Sequence, residues 1–346
     1  MKISSFLVTI AVLSIALIAG GSAGASPDIV NERGSLLEKV SKQALEQFAQ
    51  DTGRFKIPTI EDQKAWSGIV SYIANNKVNT AARLLSDSHF PFRLVRFKEA
   101  SNGREYIVLE ESPKNKGWGF YVFDLKTKNS LILEIPHPVS DSGTESQGIR
   151  AFLETRARAF ILSGTHRKAN PKESPCTQAT EESDYAESDP AHNVNTMFHQ
   201  THVALVNARP DTVAVQLHGM RERDVCPNVF LSTGTPSVTK NALRFLSCLR
   251  DRGVEAKIYD GTVSCPLIAS TNVQGRFSNG VKDNPCNTYA TTSPDPGFFI
   301  HAEQEPSIRE NEKSQDPVIE ALKCAFPADG RRQSREVTAA RRLTQK

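Results

Sequence analysis

The sequence lacks any apolar run of the roughly 20 residues that a membrane-spanning helix needs; the longest, Phe6–Ile18, falls short. It lacks a dominant charge sign. A net charge of +3 provides no global basic field, so a nucleic-acid partner is not expected. No CxxC spacing occurs, which disfavours a thiolate zinc site or a dithiol redox motif. Cysteine is missing altogether before Cys176, including at the expected cleavage point, which argues against a bacterial lipoprotein anchor. No internal repeat is visible, so solenoid and propeller architectures are excluded.

What is present begins with a short address. Lys2, the apolar stretch Phe6–Ile18 and the small residues Gly20–Ala25 read as a secretory signal peptide over residues 1–25, cut near Ala25. The chain is therefore expected to be exported, periplasmic or secreted, with no stable membrane span. The six cysteines, Cys176, Cys226, Cys248, Cys265, Cys286 and Cys324, fit disulfides in an oxidising compartment, with the pairing left open. The basic end, residues 328–346, reads as a disordered tail.

Apolar spacing organises the remainder. Ser35–Gln50 and Glu61–Ala74 read as amphipathic helices. Four strand-like runs follow, Phe92–Lys98, Glu105–Glu110, Trp118–Asp124 and Asn129–Ile135. Their short polar connections predict an antiparallel meander. From residue 144 strands and helices alternate: helices at 144–160, 194–206, 237–252 and 317–324, and strands at 160–163, 212–217, 230–232, 256–259 and 297–302. Residues 272–280 read as a loop. The fold class is α/β, a mixed sheet flanked by helices, preceded by a small α+β antiparallel meander. Residues 26–130 form the N-terminal helices and meander, and residues 131–327 the catalytic part.

Chemistry gathers at three strand ends. The run Leu131–Ile135 stops at Pro136-His137, with Asp141 and Glu145 following. Thr212–Leu217 ends at His218-Gly219. A third strand carries His301 and Glu303. Carboxyl edges of such strands are where open α/β folds place sites. Seven of the eight histidines lie at or after position 137. Taken singly, each is an ordinary loop or surface histidine. Together, His137 and His218 read as imidazole ligands, Asp141 or Glu145 as the carboxylate ligand, and Glu303 as a general base.

The pattern H-x-x-x-D-x-G-T-E at 137–145, L-H-G at 217–219 and H-x-E-x-x-x-x-I-R at 301–309 resembles the carboxypeptidase-like zinc hydrolases. Phage-type poly-γ-glutamate hydrolases come nearest, with N-formylglutamate amidohydrolases and zinc carboxypeptidases further off. The resemblance spans residues 131–310. It implies a carboxypeptidase-like mixed sheet, one zinc ion, and hydrolysis of an amide bond next to a carboxylate. The sequence departs from the family in having Asp141 where a glutamate is usual, one residue nearer the histidine. Asp141 stands ahead of Glu145, and both are held.

Around this set, His166, Arg167, Asp189 and His192 lie in loops that could line the site and touch substrate, although Asp189-Pro190 is also an ordinary helix entry. Arg276 and Arg309 could grip a substrate carboxylate bidentately, or serve as surface ion pairs. Asp224 could orient His218. His199 and His202 share a helix face and suit packing better than a second metal. The expected partner is a peptide-like or γ-glutamyl substrate. The expected activity is that of a zinc-dependent amidohydrolase or peptidase. A non-catalytic envelope protein binding peptide or glycan on the same fold is the alternative. A two-metal phosphoesterase would need more acidic ligands than the pattern offers.

Overall fold

The computed structural model describes residues 29–176 and 185–328. The expected signal segment, and all of the basic tail except Ala328, lie outside the described residues. In chain order the strands are β1 Ile29–Gly34, β2 Phe92–Glu99, β3 Glu105–Glu111, β4 Phe120–Phe123, β5 Leu131–Ile135, β6 Ala159–Leu162, β7 Val213–Gly219, β8 Val229–Ser232, β9 Ala256–Ile258 and β10 Phe299–Gln304. The helices are α1 Leu36–Leu45, α2 Ile60–Ala74, α3 Val78–Ser86, α4 Thr144–Thr155, α5 Met197–Ala208, α6 Lys240–Arg250, α7 Val273–Ser278, α8 Pro306–Arg309 and α9 Glu312–Ala325.

All ten strands form one mixed sheet in the order β1-β2-β3-β4-β6-β5-β7-β10-β8-β9. The centre, β6-β5-β7-β10, is parallel. The N-terminal residues are hydrogen-bonded into the same sheet: β1 runs parallel to β2, and β2-β3-β4 is an antiparallel meander joined to β6. The fourth strand of the expected meander does not pair with the third. β6 lies between them, because the seven residues 124–130 are long enough to carry the chain past one strand position before β5 begins. Further differences concern helices, among them α3 and α8, which the apolar spacing did not show. Residues 273–278 form α7, started by the Asn272 side chain accepting from Gly275 N–H. The last helix starts at Glu312, where Asn311 and Ser314 make a capping box, so Pro317 falls inside it.

Strand alternation divides the core. Leu131, Leu133 and Ile135 of β5, Val213, Val215 and Leu217 of β7, and Ile300 and Ala302 of β10 join one apolar layer with α4, α6 and α9. Ile132, Ala214 and Phe299 join the other, with Trp66, Ile69 and Ile73 of α2 and Leu205 of α5. Trp66 is fully buried and donates its indole N–H to Thr201 Oγ1 at 2.8 Å, tying α2 to α5. All six cysteines are paired, Cys176–Cys286, Cys226–Cys265 and Cys248–Cys324. No helix among the described residues is long and apolar enough to cross a membrane.

Candidate metal centre

The site follows from the same alternation. With their apolar neighbours committed to the α4 side of the sheet, Glu134, Gln216, His218, His301 and Glu303 project to the opposite side, near the carboxyl ends of β5, β7 and β10. The parallel register of β7 and β10 sets His218 beside Glu303 and Gln216 beside His301. The His218 and His301 rings lie 4.4 Å apart, and the His137 and His218 rings 5.0 Å apart.

Pro136 ends β5, and the chain folds into a tight turn in which Asp141 N–H donates to His137 O at 2.8 Å. Thr144 Oγ1 donates to Asp141 O at 2.7 Å, closing the turn onto α4. Gly143 makes this entry possible. It has φ +87°, and a Cβ there would collide with the Arg309 carbonyl oxygen. The turn brings Asp141 Oδ2 to 3.4 Å from His137 Nδ1 and 3.5 Å from His218 Nδ1. His137 Nε2 meets Asp189 Oδ1 at 2.8 Å. A carboxylate only accepts, so Nε2 carries the proton of a neutral His137 and Nδ1 keeps its lone pair. That Nδ1 is buried and has no hydrogen-bond partner among the described residues.

One ligand atom each from His137, Asp141 and His218 lies within 4.8 Å of the others, and the same holds for His218, His301 and Glu303. Imidazoles with a carboxylate suit zinc, and a carboxylate behind the first imidazole is the usual support for a metal-bound histidine. The buried His137 Nδ1 faces a carboxylate oxygen and has no hydrogen-bond partner among the described residues, so the position fits a cation, which would take the place of the proton of an imidazolium.

The electrostatics are those of a compact buried charge cluster. Burial pushes the His137 imidazolium down, but the carboxylates of Asp189 and Asp141 outweigh it and raise its pKa to about 9. Burial pushes Asp141 up, and the His137 and His218 imidazoles beside it reverse this, holding it far below the usual carboxylate range. Asp189 is held low against burial by the charges of His137 and His192. Burial, and then the charge of Asp141, raise Glu303 to about 8, while His137, Arg167 and Arg223 pull the other way. Burial lowers His218, His301 and His192, the last to about 4.

The other expected residues divide. Glu145 sits in the first turn of α4 with Oε2 buried and unpartnered, and belongs to neither ligand group, whereas Asp141 reaches both imidazoles. His166 accepts from Lys168 N–H through Nδ1 at 3.0 Å, which leaves Nε2–H to donate to Ser140 Oγ in the turn at 3.0 Å. His192 stacks on Tyr185 with ring centroids 3.6 Å apart, and lies 3.2 Å from Thr271 Oγ1. Arg167 is half-buried, and its charge reaches Glu303 and Asp189.

Arg276 and Arg309 are both buried and bonded to backbone carbonyls, and neither makes an ion pair among the described residues. Arg276 donates to the carbonyls of Ser270, Pro285 and Cys286 and lies over the Tyr289 ring, bracing the loop that holds the Cys176–Cys286 bridge. Arg309 donates to Gln304 O and to Ser142 O and Oγ, joining the end of β10 to the site turn, and its guanidinium fills the space beside Gly219. Asp224 is exposed, and His218 finds its partners in Asp141 and Gln216 instead. His199 and His202 face the buried interior: His202 Nδ1 lies 2.7 Å from Glu134 Oε1 and His199 Nδ1 lies 3.3 Å from Gln274 Nε2.

Sequence reasoning missed two residues here. Gln216 carried no signal beyond its place two residues before His218. Arg223, half-buried with its Nε buried and unpartnered, adds a positive charge that reaches Glu303, and only its place in the loop after Gly219 pointed to it.

No family model matches the chain, and no curated protein matches it. Among solved structures it is similar to a bacteriophage poly-gamma-glutamate hydrolase at 15% identity, covering 64% of this chain and 87% of that one, with a TM-score of 0.35. It is similar to N-formylglutamate amidohydrolase from Ralstonia eutropha at 11% identity, over 60% and 97% of the two chains, with a TM-score of 0.37. It is also similar to a metallo-carboxypeptidase from Pseudomonas aeruginosa at 15% identity, over 64% and 60%, with a TM-score of 0.31. At these scores the similarities carry no functional assignment.

Proposed function

We propose that this protein is an exported, zinc-dependent hydrolase of an amide bond next to a carboxylate, in a γ-glutamyl or cell-wall-type peptide. The observation that carries the reading is the convergence of His137 Nδ1 and His218 Nδ1 on one oxygen of Asp141, with Glu303 beside them on the next strand. His137, Asp141 and His218 would hold the ion. Glu145 remains a poorer candidate, since it joins neither ligand group. A bound divalent ion would supply Lewis acidity and lower the pKa of water at the site to near neutrality.

The protein's own groups supply the remainder. Glu303, 8% exposed, accepts a proton from the attacking water and returns it to the departing amine nitrogen. Its raised pKa makes it a stronger base for the first transfer. Asp189 holds the His137 ring in place. Among the described residues Arg167 and Arg223 make no ion pair, and their positive charge reaches Glu303, so in this reading they are the guanidiniums that receive a substrate carboxylate. His166 and His192 border the same space from the 164–192 segment. Three disulfides fit an oxidising, extracytoplasmic compartment.

The test is native mass spectrometry followed by turnover. Wild-type protein is expected to carry one zinc, His137→Ala and His218→Ala to lose it, and a chelator to abolish cleavage of γ-glutamyl and cell-wall peptides. Glu303→Gln should keep zinc and lose about 10²–10⁴ in kcat. Wild-type protein that holds no zinc would overturn the reading. Zinc without turnover, with substrate affinity unchanged in Glu303→Gln, would favour a binding protein instead.

A further inference from the structure

Beneath the site lies a closed network of buried polar side chains that the proposed reaction does not use. Glu134 of β5 is fully buried and accepts on both carboxylate oxygens, from His202 at Oε1 (2.7 Å) and from Gln216 Nε2 at Oε2 (2.9 Å). The other ring nitrogen of His202 lies 2.9 Å from Ser278 Oγ. Gln216 Nε2 also donates to Gln274 Oε1 at 3.1 Å. Gln216 Oε1 accepts from Asn272 Nδ2 at 2.7 Å and faces His218 Nε2 at 3.1 Å.

Every orientation here is forced. Asn272 spends Oδ1 on Gly275 N–H at the start of α7, so its amide nitrogen must point at Gln216. Gln274 donates to Pro190 O, so its amide oxygen must face Gln216. The Glu134 carboxylate accepts only. Three independent neighbours therefore oblige Gln216 to present nitrogen towards β5 and oxygen towards His218. An amide oxygen opposite an imidazole nitrogen requires that nitrogen to carry the proton.

We infer that Glu134 and Gln216 are positioning residues that fix the tautomer of His218, holding the proton on Nε2 and turning the Nδ1 lone pair towards Asp141. In its neutral form His137 is set in the same tautomer by a different device, the Asp189 carboxylate on its Nε2. One imidazole is thus aligned by an ionised group from a loop. The other is aligned by a neutral amide whose orientation is set from three sides. Leaving His218 to choose freely would favour the opposite tautomer, with Nδ1–H donating to the Asp141 carboxylate 3.5 Å away. That proton would occupy the direction a cation needs. The inference about the proton stands in metal-free protein. Only its consequence for ion affinity rests on the hydrolase reading.

The experiment is long-range ¹H–¹⁵N correlation spectroscopy of histidine-labelled, metal-free full chain at pH 8, with His218→Gln used to assign the resonance. Wild-type His218 is expected as the Nε2–H tautomer. Gln216→Met removes the acceptor while keeping the volume, and should move His218 to Nδ1–H. A wild-type ring found as Nδ1–H, or a Gln216→Met ring still on Nε2–H, overturns the inference. If Gln216→Met does not fold, Glu134→Gln releases one of the three constraints and should populate both tautomers; an unchanged wild-type spectrum there overturns it equally. Zinc titration of the same variants reads the consequence separately, with affinity expected to fall about 10–100-fold. A fixed tautomer in a protein that binds no zinc would leave the inference intact and remove only the hydrolase reading.

Discussion

Asp189→Asn separates two effects that the buried cluster binds together. In the wild type, Asp189 holds the His137 Nε2 proton at 2.8 Å and, with Asp141, raises the imidazolium pKa to about 9 against the pull of burial. A metal that ligates through Nδ1 must displace a proton there, so at pH 7 the competition costs about 100-fold in apparent affinity, vanishing near pH 9. The carboxylate also makes the imidazole a better ligand, and losing such a partner costs roughly 10–100-fold. Replacing Asp189 by Asn removes the second effect and much of the first, leaving the share due to Asp141. At pH 9 only the second counts, and zinc affinity should fall by about 10–100-fold. At pH 7 the weaker proton competition offsets most of that loss, and wild type and variant should differ little. Competition titrations against a chromophoric chelator from pH 6.5 to 9 read both ends. Wild-type affinity should climb through the window while that of the variant is much flatter. An equal loss at pH 7 and pH 9, or a wild-type affinity that ignores pH between them, would refute the reasoning.

His199, which burial and then the charge of His202 lower to about 3, is neutral in the folded protein. The unfolded chain takes up a proton there as pH falls below about 6.5, so the stability this residue contributes is complete above that pH and drains away towards pH 3. His199→Asn should flatten the acid limb by about 3 kcal/mol between pH 7 and pH 4 relative to wild type, read from urea midpoints. Gly143→Ala forces a side chain into φ +87° and against the Arg309 carbonyl oxygen. Denaturant curves should show a loss of about 2–4 kcal/mol, with zinc affinity falling as the turn shifts. Arg309 and Arg223 should separate cleanly. Arg309→Lys loses the fork on Gln304 O and Ser142 and lowers stability by about 1–3 kcal/mol with little change in KM. Arg223→Ala should leave the melting temperature nearly unchanged and raise KM for carboxylate substrates at least about 10-fold. A KM effect from Arg309→Lys alone would reverse these roles.

The residues at the strand ends were legible because they are local. A β-strand that ends at Pro136-His137, and another that ends at His218-Gly219, announce themselves by apolar runs and a change of residue type. Two-residue alternation then fixes that His301 and Glu303 leave β10 on the same face. That the turn brings Asp141, and not Glu145, beside both imidazoles was only half legible. The choice depends on how tightly the turn closes, which rests on the Asp141 N–H to His137 O bond and on the free φ of Gly143. Strand order was less legible still. Short connections suggested that β4 and β5 pair, and nothing in either run shows that β6 takes the place between them.

The roles of the charged residues were least legible, for one physical reason. Asp189 lies 52 residues from His137 and looks like a helix entry, since its carboxylate also accepts from Ala191 N–H at 3.0 Å. The same oxygen serves the local turn and the distant imidazole, so its local signal hides the long-range one. Glu134 sits inside LILEI, where apolar neighbours make it look like an interruption in a strand, yet it anchors a network whose other members come from β7, α5 and α7. Arg276 and Arg309 looked like substrate clamps because a guanidinium is chemically suited to one. Each is buried and gives several donors to backbone carbonyls, although Arg276 Nη2 has no partner among the described residues. A buried polar group must be satisfied by whatever the fold brings to it. Residue type therefore tells what a side chain can bind, and the non-local pairing of strands decides whether substrate, metal or backbone reaches it first.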